Sequence, residues 1–324
     1  MSYTVRPYKA SDSMNWNTFI SRAKNATFLF HRDFMEYHDD RFQDHSLIVL
    51  EKDKWIAVLP ANRVDELVYS HQGLTYGGLV YDEKLKLFSV IEIVKSIMIH
   101  LQENGITKLH LKLIPSIYCD IPSEELHYAL FLADAKLVRR DTLAVIDLTQ
   151  NYAIAKGRIE GVKKGEKHSL IVKEEEDFKS FWEIILMPTL ERKHQAKPVH
   201  SLVEIEQLKQ KFPKSIRQFN VYYKDRIVAG TTIFESKNVF HAQYIAADED
   251  KNELGSLDFL YYTLLKTIFK NKHYFDFGIS NEDQGRKLNQ GLSFWKESFG
   301  ARTIVQDFYE IDTTQFFKLD NVIL

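Results

Sequence analysis

The sequence predicts an α/β protein of two modules, each a mixed sheet with helices packed against it. Two observations carry that expectation. Residues 49–58, Val-Leu-Glu-Lys-Asp-Lys-Trp-Ile-Ala-Val, return about 172 positions later as residues 221–230, Val-Tyr-Tyr-Lys-Asp-Arg-Ile-Val-Ala-Gly. In each, an alternating run breaks at Lys-Asp-Lys or Lys-Asp-Arg and resumes as an apolar run, the signature of a hairpin with a short polar turn. The order of elements after each hairpin repeats as well: long helical patterns at 85–103 and 257–272 each feed a short alternating strand, at 108–113 and 274–278. Hairpin, helix and strand, written twice, mark a duplicated module, with residues 1–150 as the first copy and 151–324 as the second.

The first module opens with a strand at 3–6 and a helix from Asp12, followed by a short aromatic helix at 31–38. The hairpin at 46–62 comes next. Residues 73–80, Gly-Leu-Thr-Tyr-Gly-Gly-Leu-Val, form a Gly-punctuated strand or loop, where paired glycines permit a bulge or the close approach of a ligand to backbone. After the helix at 85–103 and a strand that runs into Ile114-Pro115, a helix at 123–132 and two strands, 137–140 and 142–148, close the module. The junction at 149–167 is the densest basic segment of the chain, with Lys156, Arg158, Lys163, Lys164 and Lys167 against Glu160 and Glu166. Such a run is ordinarily a solvated helix. Its functional reading is an electropositive lip facing a phosphorylated ligand. The second module continues with a strand at 168–173 and a helix at 175–192. Ser201, with Glu204 three residues on, fits a capping box at the head of a helix reaching Lys211. Strands at 217–223, 226–235 and 239–246, a helix, the strand at 274–278, a second helix and a terminal strand at 302–311 complete it.

With 324 residues, 44% of them hydrophobic and 27% charged, the chain can bury two ordinary cores and is not expected to be disordered. The most apolar stretch, 88–101, carries Glu92, Lys95 and His100 on one face and reads as an amphipathic helix, so no membrane span is expected. The N-terminus lacks the apolar core of a secretory signal, and a single cysteine excludes a disulfide framework. A reducing cytoplasm is the expected compartment. The net charge is −2, with 17 basic and 20 acidic side chains in residues 1–150 and 26 and 25 in the remainder. Attraction to DNA is therefore not a property of the whole molecule, and any anion site must be local.

Few residues offer chemistry. Cys119 has neither a histidine base nor an electropositive setting beside it, as a thiolate nucleophile requires. His194 and His200 are six apart across a proline, and His31 and His38 stand two helical turns apart, without carboxylates at ligand spacing, so no metal is expected. No Walker loop, dinucleotide fingerprint or Gly-x-Ser-x-Gly elbow occurs. What remains is residues 252–301. A helix headed by Gly255-Ser256-Leu257, directly after a strand, exposes backbone N–H groups suited to a phosphate or a developing oxyanion. Against an anion stands the loop before it, with carboxylates at Asp248, Glu249, Asp250 and Glu253. Lys296 sits among apolar neighbours; its stem can be buried while the ammonium reaches a cleft, or it simply snorkels.

The order Phe275-Asp276-Phe277-Gly278, a polar turn with Gly285, then Phe294-Trp295-Lys296 and Phe299-Gly300 resembles the C-terminal signature of the FemAB-like branch of the GNAT acyltransferase superfamily. Tyr76-Gly77-Gly78 after Leu59-Pro60 is similar to the matching part of that branch's first domain, and residues 158–172 to its basic junction. The resemblance follows nearly the whole chain in order. It implies two tandem GNAT-like acyltransferase domains with a cleft between them, and it implies roles. Lys296 would polarise the acyl carbonyl and steady the tetrahedral intermediate. Gly255, Ser256 and Leu257 fall where the donor's pyrophosphate is received. Tyr244, His241 and Asp276 are candidates for acceptor positioning or proton removal, and Tyr76, Gly77, His241, Gln243 and Arg158 for substrate binding. The implied donor is acyl-CoA and the implied acceptor an amine. Members of the branch that use aminoacyl-tRNA often carry an inserted helical hairpin; no coiled-coil insertion is visible, so a tRNA donor is not favoured.

Three functions are expected in turn. The first is an acyltransferase working by direct attack in a ternary complex, which needs orientation, an oxyanion partner and a route for one proton but no enzyme nucleophile. The second is an aminoacyl-tRNA-dependent ligase acting on a peptidoglycan precursor. The third is a GNAT-like binding protein that has lost its donor, for which the acidic loop at 248–253 is the best support.

Overall fold

The computed structural model describes residues 3–320 and 322. The chain forms two compact units, one of Met1–Asp141, Asp283–Arg286 and Val305–Leu324, the other of Thr142–Glu282 and Lys287–Ile304. It passes from the first to the second inside one unbroken strand, Lys136–Asp147, where the sequence suggested two strands parted near Asp141. The charges that imitate a turn are paired: Arg139 forks onto Asp141 at 2.7–3.1 Å, and Arg140 onto Asp307 at 2.6 and 2.7 Å. With those groups satisfied, the strand has no reason to break. The terminal strand, Arg302–Asp312, also departs from the expected order. Its residues Phe308–Asp312 pair antiparallel with Lys112–Lys108, which places residues 305–320 in the first unit rather than the second.

The first unit has an antiparallel sheet of Thr4–Pro7, Leu47–Glu51, Lys54–Leu59 and Val80–Tyr81. A second set joins Gln43–Asp44, Asn62–Val64, Leu67–Tyr69, Lys108–Lys112 and the end of the terminal strand. The helix Leu87–Glu103 buries Val90, Ile93, Val94, Ile97 and Leu101, the stripe that a 3.6-residue period places on one face. That stripe joins one core with Leu47, Val49, Leu109, Leu111, Ile311 and Leu319. The returning segment Thr313–Leu319 lies against the same helix, and Asp320 pairs with Lys95.

In the second unit the strands run in the order Ile171–Glu175, Ile216–Tyr223, Arg226–Glu235, Val239–Ala247, Tyr274–Ile279 and the last part of Lys136–Asp147. All neighbours are antiparallel except Val239–Ala247 with Tyr274–Ile279. The duplication is legible here at the level of register. Val49 faces Ala57 and Leu50 faces Trp55 in the first hairpin; Val221 faces Ala229 and Tyr222 faces Ile227 in the second. Each hairpin skips one residue, Ile56 or Val228, and each turn holds its lysine, Lys52 or Lys224, at positive φ. A bulge is a specific backbone device, so its recurrence at corresponding positions is stronger testimony to common origin than the side chains are.

The capping box at Ser201 is formed. Its hydroxyl accepts from the Glu204 N–H at 3.2 Å, and the Glu204 carboxylate accepts from the Ser201 N–H at 2.6 Å. Ser201→Ala is expected to cost about 1 kcal/mol, as loss of such a cap does, measured by chemical denaturation.

Candidate active site

The parallel pair in the second unit is matched over only three residues of each strand, Val239 with Tyr274, Phe240 with Phe275 and His241 with Asp276. Where that ladder stops, chemistry collects. The Asp276 side chain is 1% exposed; one oxygen lies 3.0 Å from His241 Nδ1, and the other accepts the Gly278 N–H at 2.6 Å. Gly278 is at φ +73°, a conformation that suits glycine. The turned backbone aims two carbonyls at one lysine: Lys296 Nζ donates to Gly278 O at 3.0 Å and Ile279 O at 2.5 Å. Lys296 is therefore buried, at 3% exposure, and does not snorkel. Two of its three N–H donors hold the strand end.

Burial lowers the Lys296 pKa to about 8, against a smaller opposing pull from Asp276. A lysine depressed from 10.5 is less protonated in the folded than in the unfolded chain between pH 8 and 10.5. The unfolded state there binds more protons, so this group adds stability as pH rises through that window. Wild type is expected to gain on Lys296→Met between pH 8 and 10.5, by up to about 1.4 kcal/mol per pH unit. Thermal melts of both at half-unit steps measure it, and a constant gap refutes it.

A second group of residues builds a cavity of about 340 Å³ from the helix Lys156–Lys167 and the start of the helix Ser256–Thr263. Glycines let the two backbones touch. A Cβ at Gly161 would lie 1.9 Å from Asp258 Oδ2, one at Gly165 2.7 Å from Phe259, and one at Gly255 2.1 Å from Gly161 O. Gly157, one turn earlier, meets nothing within 4 Å and lines the cavity instead. The N-terminal turns of both helices thus border one space, to which Arg158, Lys164 and Lys251 add positive charge and Glu160 and Asp258 negative. Arg158 holds Asp258 at 2.7 Å. Burial raises the Asp258 pKa, and Arg158 opposes that rise.

Three of the four carboxylates in the acidic loop are paired. Arg226 holds Asp248 at 2.8 Å and Asp250 at 2.6 Å, and Arg192 pairs with Glu249. Lys251 and Asn252 are the loop residues that line the cavity.

The structure sorts the expected residues. Arg158, Gly255 and Leu257 meet at the cavity. Ser256 does not line it; its hydroxyl is fully buried, with no hydrogen-bond partner among the described residues. His241, Asp276 and Lys296 gather at the strand end. Tyr244 stands apart, its hydroxyl 2.6 Å from His200 Nδ1 and its ring packed on Trp182, with burial pushing its pKa up to about 12. That environment suits a structural tyrosine rather than a proton acceptor. Gln243 keeps a buried side-chain oxygen without a hydrogen-bond partner among the described residues. In the first unit Tyr76 is buried, its hydroxyl 2.9 Å from Thr27 Oγ1 and its ring against Phe30 and Tyr118. Gly77 packs where a Cβ would strike Ser70 O at 1.9 Å. Both pack within the first unit. The Cys119 thiol is pushed up to about 12 by burial and is not a thiolate at neutral pH. The side chain of His194 lies outside the described residues, among which no three His, Cys, Asp or Glu side chains are grouped as metal ligands. No described helix is long and apolar enough to cross a membrane. Sequence reasoning overlooked Gly157, Gly161, Lys251 and Asp258. The four-residue spacing of Gly157, Gly161 and Gly165 was the available signal, since it places all three on one helix face.

Residues 153–286 match the family model described as acetyltransferase (GNAT) domain. Among solved structures, FemX aligns over 99% of this chain and 100% of its own, at 12% identity and a TM-score of 0.66. L-PGS from Bacillus licheniformis aligns over 86% of this chain and 88% of its own, at 11% identity and 0.56. A tandem GNAT protein from the clavulanic acid biosynthesis pathway aligns over 96% and 99%, at 10% identity and 0.50. No curated protein matches in sequence. At such identities the likenesses are of fold. The matched domain and the bulged, duplicated hairpins define a GNAT-fold protein of two tandem units. The fold is shared with FemX over the whole chain.

Proposed function

We propose that the protein is an N-acyltransferase that moves an acyl group from a phosphate-bearing thioester or ester donor, acyl-CoA in the first instance, to an amine. The observation that carries the reading is the cavity bordered by Gly157 and Gly255, where two helix N-termini and three cationic side chains meet. Phosphate oxygens are received well by such groups. The donor fits the residues present. Gly157 leaves room for close approach at the cavity wall. Three of the four carboxylates in the acidic loop, the one feature favouring a protein that has lost its donor, are tied to Arg226 and Arg192.

In the reaction the acceptor nitrogen attacks the acyl carbonyl. A C–N bond forms, the bond to the leaving sulfur or oxygen breaks, and the nitrogen loses one proton. His241 is the proposed acceptor of that proton. With Nδ1–H donated to Asp276 Oδ2 at 3.0 Å, the ring presents Nε2 as the base. The proton then returns to the leaving group. Lys296 keeps the Gly278–Ile279 backbone in place behind this pair and has one further N–H to offer a developing oxyanion.

An aminoacyl-tRNA donor is the second reading, supported by the same phosphate chemistry and by the fold shared with FemX. Calorimetric titration with acetyl-CoA and longer acyl-CoAs, alongside turnover assays with aminoacyl-tRNA, separates them. Micromolar binding of an acyl-CoA, weakened about tenfold by Lys251→Glu, supports the first. Turnover of aminoacyl-tRNA without acyl-CoA binding supports the second. Failure of both donors refutes the acyltransferase reading.

A further inference from the structure

We infer that the first unit carries a binding site of its own for a small organic acid, a carboxylate or phosphate group on a compact apolar body. The inference does not rest on the acyl-transfer reading. A cavity of about 430 Å³ opens in this unit among Tyr69, His71, Lys112, Arg139, Phe308 and Tyr309. Its aromatic walls are held by their own contacts: the Tyr69 ring stacks on His110 with centroids 4.6 Å apart, and the Arg139 guanidinium lies 4.5 Å over Phe308. Such flat, fixed faces suit a planar or aliphatic body.

The charge of the lining is one-sided. It includes Lys112 and Arg139 and no carboxylate. Arg139 is already committed, forked onto Asp141 and reaching Gln284 Oε1 at 3.0 Å. Lys112 is not. Its ammonium donates to the carbonyl of Leu74 and forms no ion pair among the described residues. Burial, then the charge of Arg139, lowers its pKa to about 8, with Asp141 opposing. A largely buried cation lacking a counter-ion is an unfavourable arrangement that an entering anion relieves. His71 adds hydrogen-bonding capacity. Burial and the neighbouring His38 push its pKa down to about 3, so the ring is neutral, and its Nδ1 is buried without a hydrogen-bond partner among the described residues. A carbonyl alone could be capped by any neutral donor, so capping Leu74 does not by itself account for a lysine at this position.

Calorimetry on the full chain with 3-phenylpropanoate, phenyl phosphate, inorganic phosphate and the neutral 3-phenylpropanamide tests the inference. One of the two organic acids is expected to bind at least about tenfold more tightly than the amide, and which of them does so identifies the acid group. Lys112→Met, which keeps the apolar stem, is expected to abolish that preference and leave amide binding within about twofold. Should Lys112→Met fail to fold, the wild-type melting temperature decides: the acid must raise it more than the amide at equal concentration. Equal affinity for acid and amide, inorganic phosphate bound as tightly as phenyl phosphate, a preference retained in Lys112→Met, or no binding of any probe at about 10 mM overturns the inference.

Discussion

Replacing His241 by Gln is expected to lower the rate of acyl transfer by roughly 10²–10⁴-fold, the range for loss of a positioned general base, while donor affinity stays within about twofold. The argument is local. Asp276 is almost fully buried and divides its oxygens between His241 Nδ1 and the Gly278 N–H. The imidazole is thereby held in one orientation with one tautomer favoured. Glutamine keeps a polar group of similar reach but cannot take up the proton. Asp276→Asn supplies a companion test. An asparagine that keeps its oxygen on the Gly278 N–H turns its NH₂ toward His241, which reverses the tautomer and places a proton where the base must be bare. Both variants should lose rate with little change in melting temperature or donor titration. A loss below about tenfold for His241→Gln removes His241 from the reaction.

Gly255→Val is expected to destabilise the second unit strongly. Gly255 lies at φ +67°, and its missing Cβ would stand 2.1 Å from the carbonyl oxygen of Gly161. The left-handed conformation costs a branched residue about 1–2 kcal/mol. Separating two helix backbones to admit the side chain costs about 1–3 kcal/mol more. A total of about 3 kcal/mol corresponds to a fall in melting temperature of roughly 6–12 °C for a unit of this size. Gly157→Ala is the control. It meets nothing within 4 Å in the same helix as Gly161, so it should be neutral or stabilise by up to about 1 kcal/mol. Similar melting temperatures for Gly255→Val and wild type would falsify the close helix contact.

Much of this fold could be read from sequence because its signals are local. The Lys-Asp turns at 52–53 and 224–225 with alternating flanks locate the hairpins, and Ser201 with Glu204 marks a helix start from four residues. What escaped depends on partners far along the chain. The strand Lys136–Asp147 reads as two because the group that pairs Arg140 is Asp307, 167 residues away. The loop at 248–253 reads as repulsive because Arg226 and Arg192 precede it by 22 and 57 residues. Tyr244 resembles a site residue until His200, 44 positions earlier, is found at its hydroxyl. The motif in the sequence singles out Lys296. Its burial against two carbonyls stems from the left-handed turn at Gly278 and could not be read from the motif itself.

The return of residues 305–320 to the first unit bears on how the chain is made. Synthesis from the N-terminus delivers the whole of residues 142–304 while the first unit still lacks the strand that pairs with Lys108–Lys112 and the segment that lies on Leu87–Glu103. The later-synthesised unit can therefore close on the ribosome before the earlier one, reversing the usual N-to-C order of domain folding. Until its last strand emerges, the first unit waits with one edge of its sheet unpaired, the state in which a chaperone would be of most use to it.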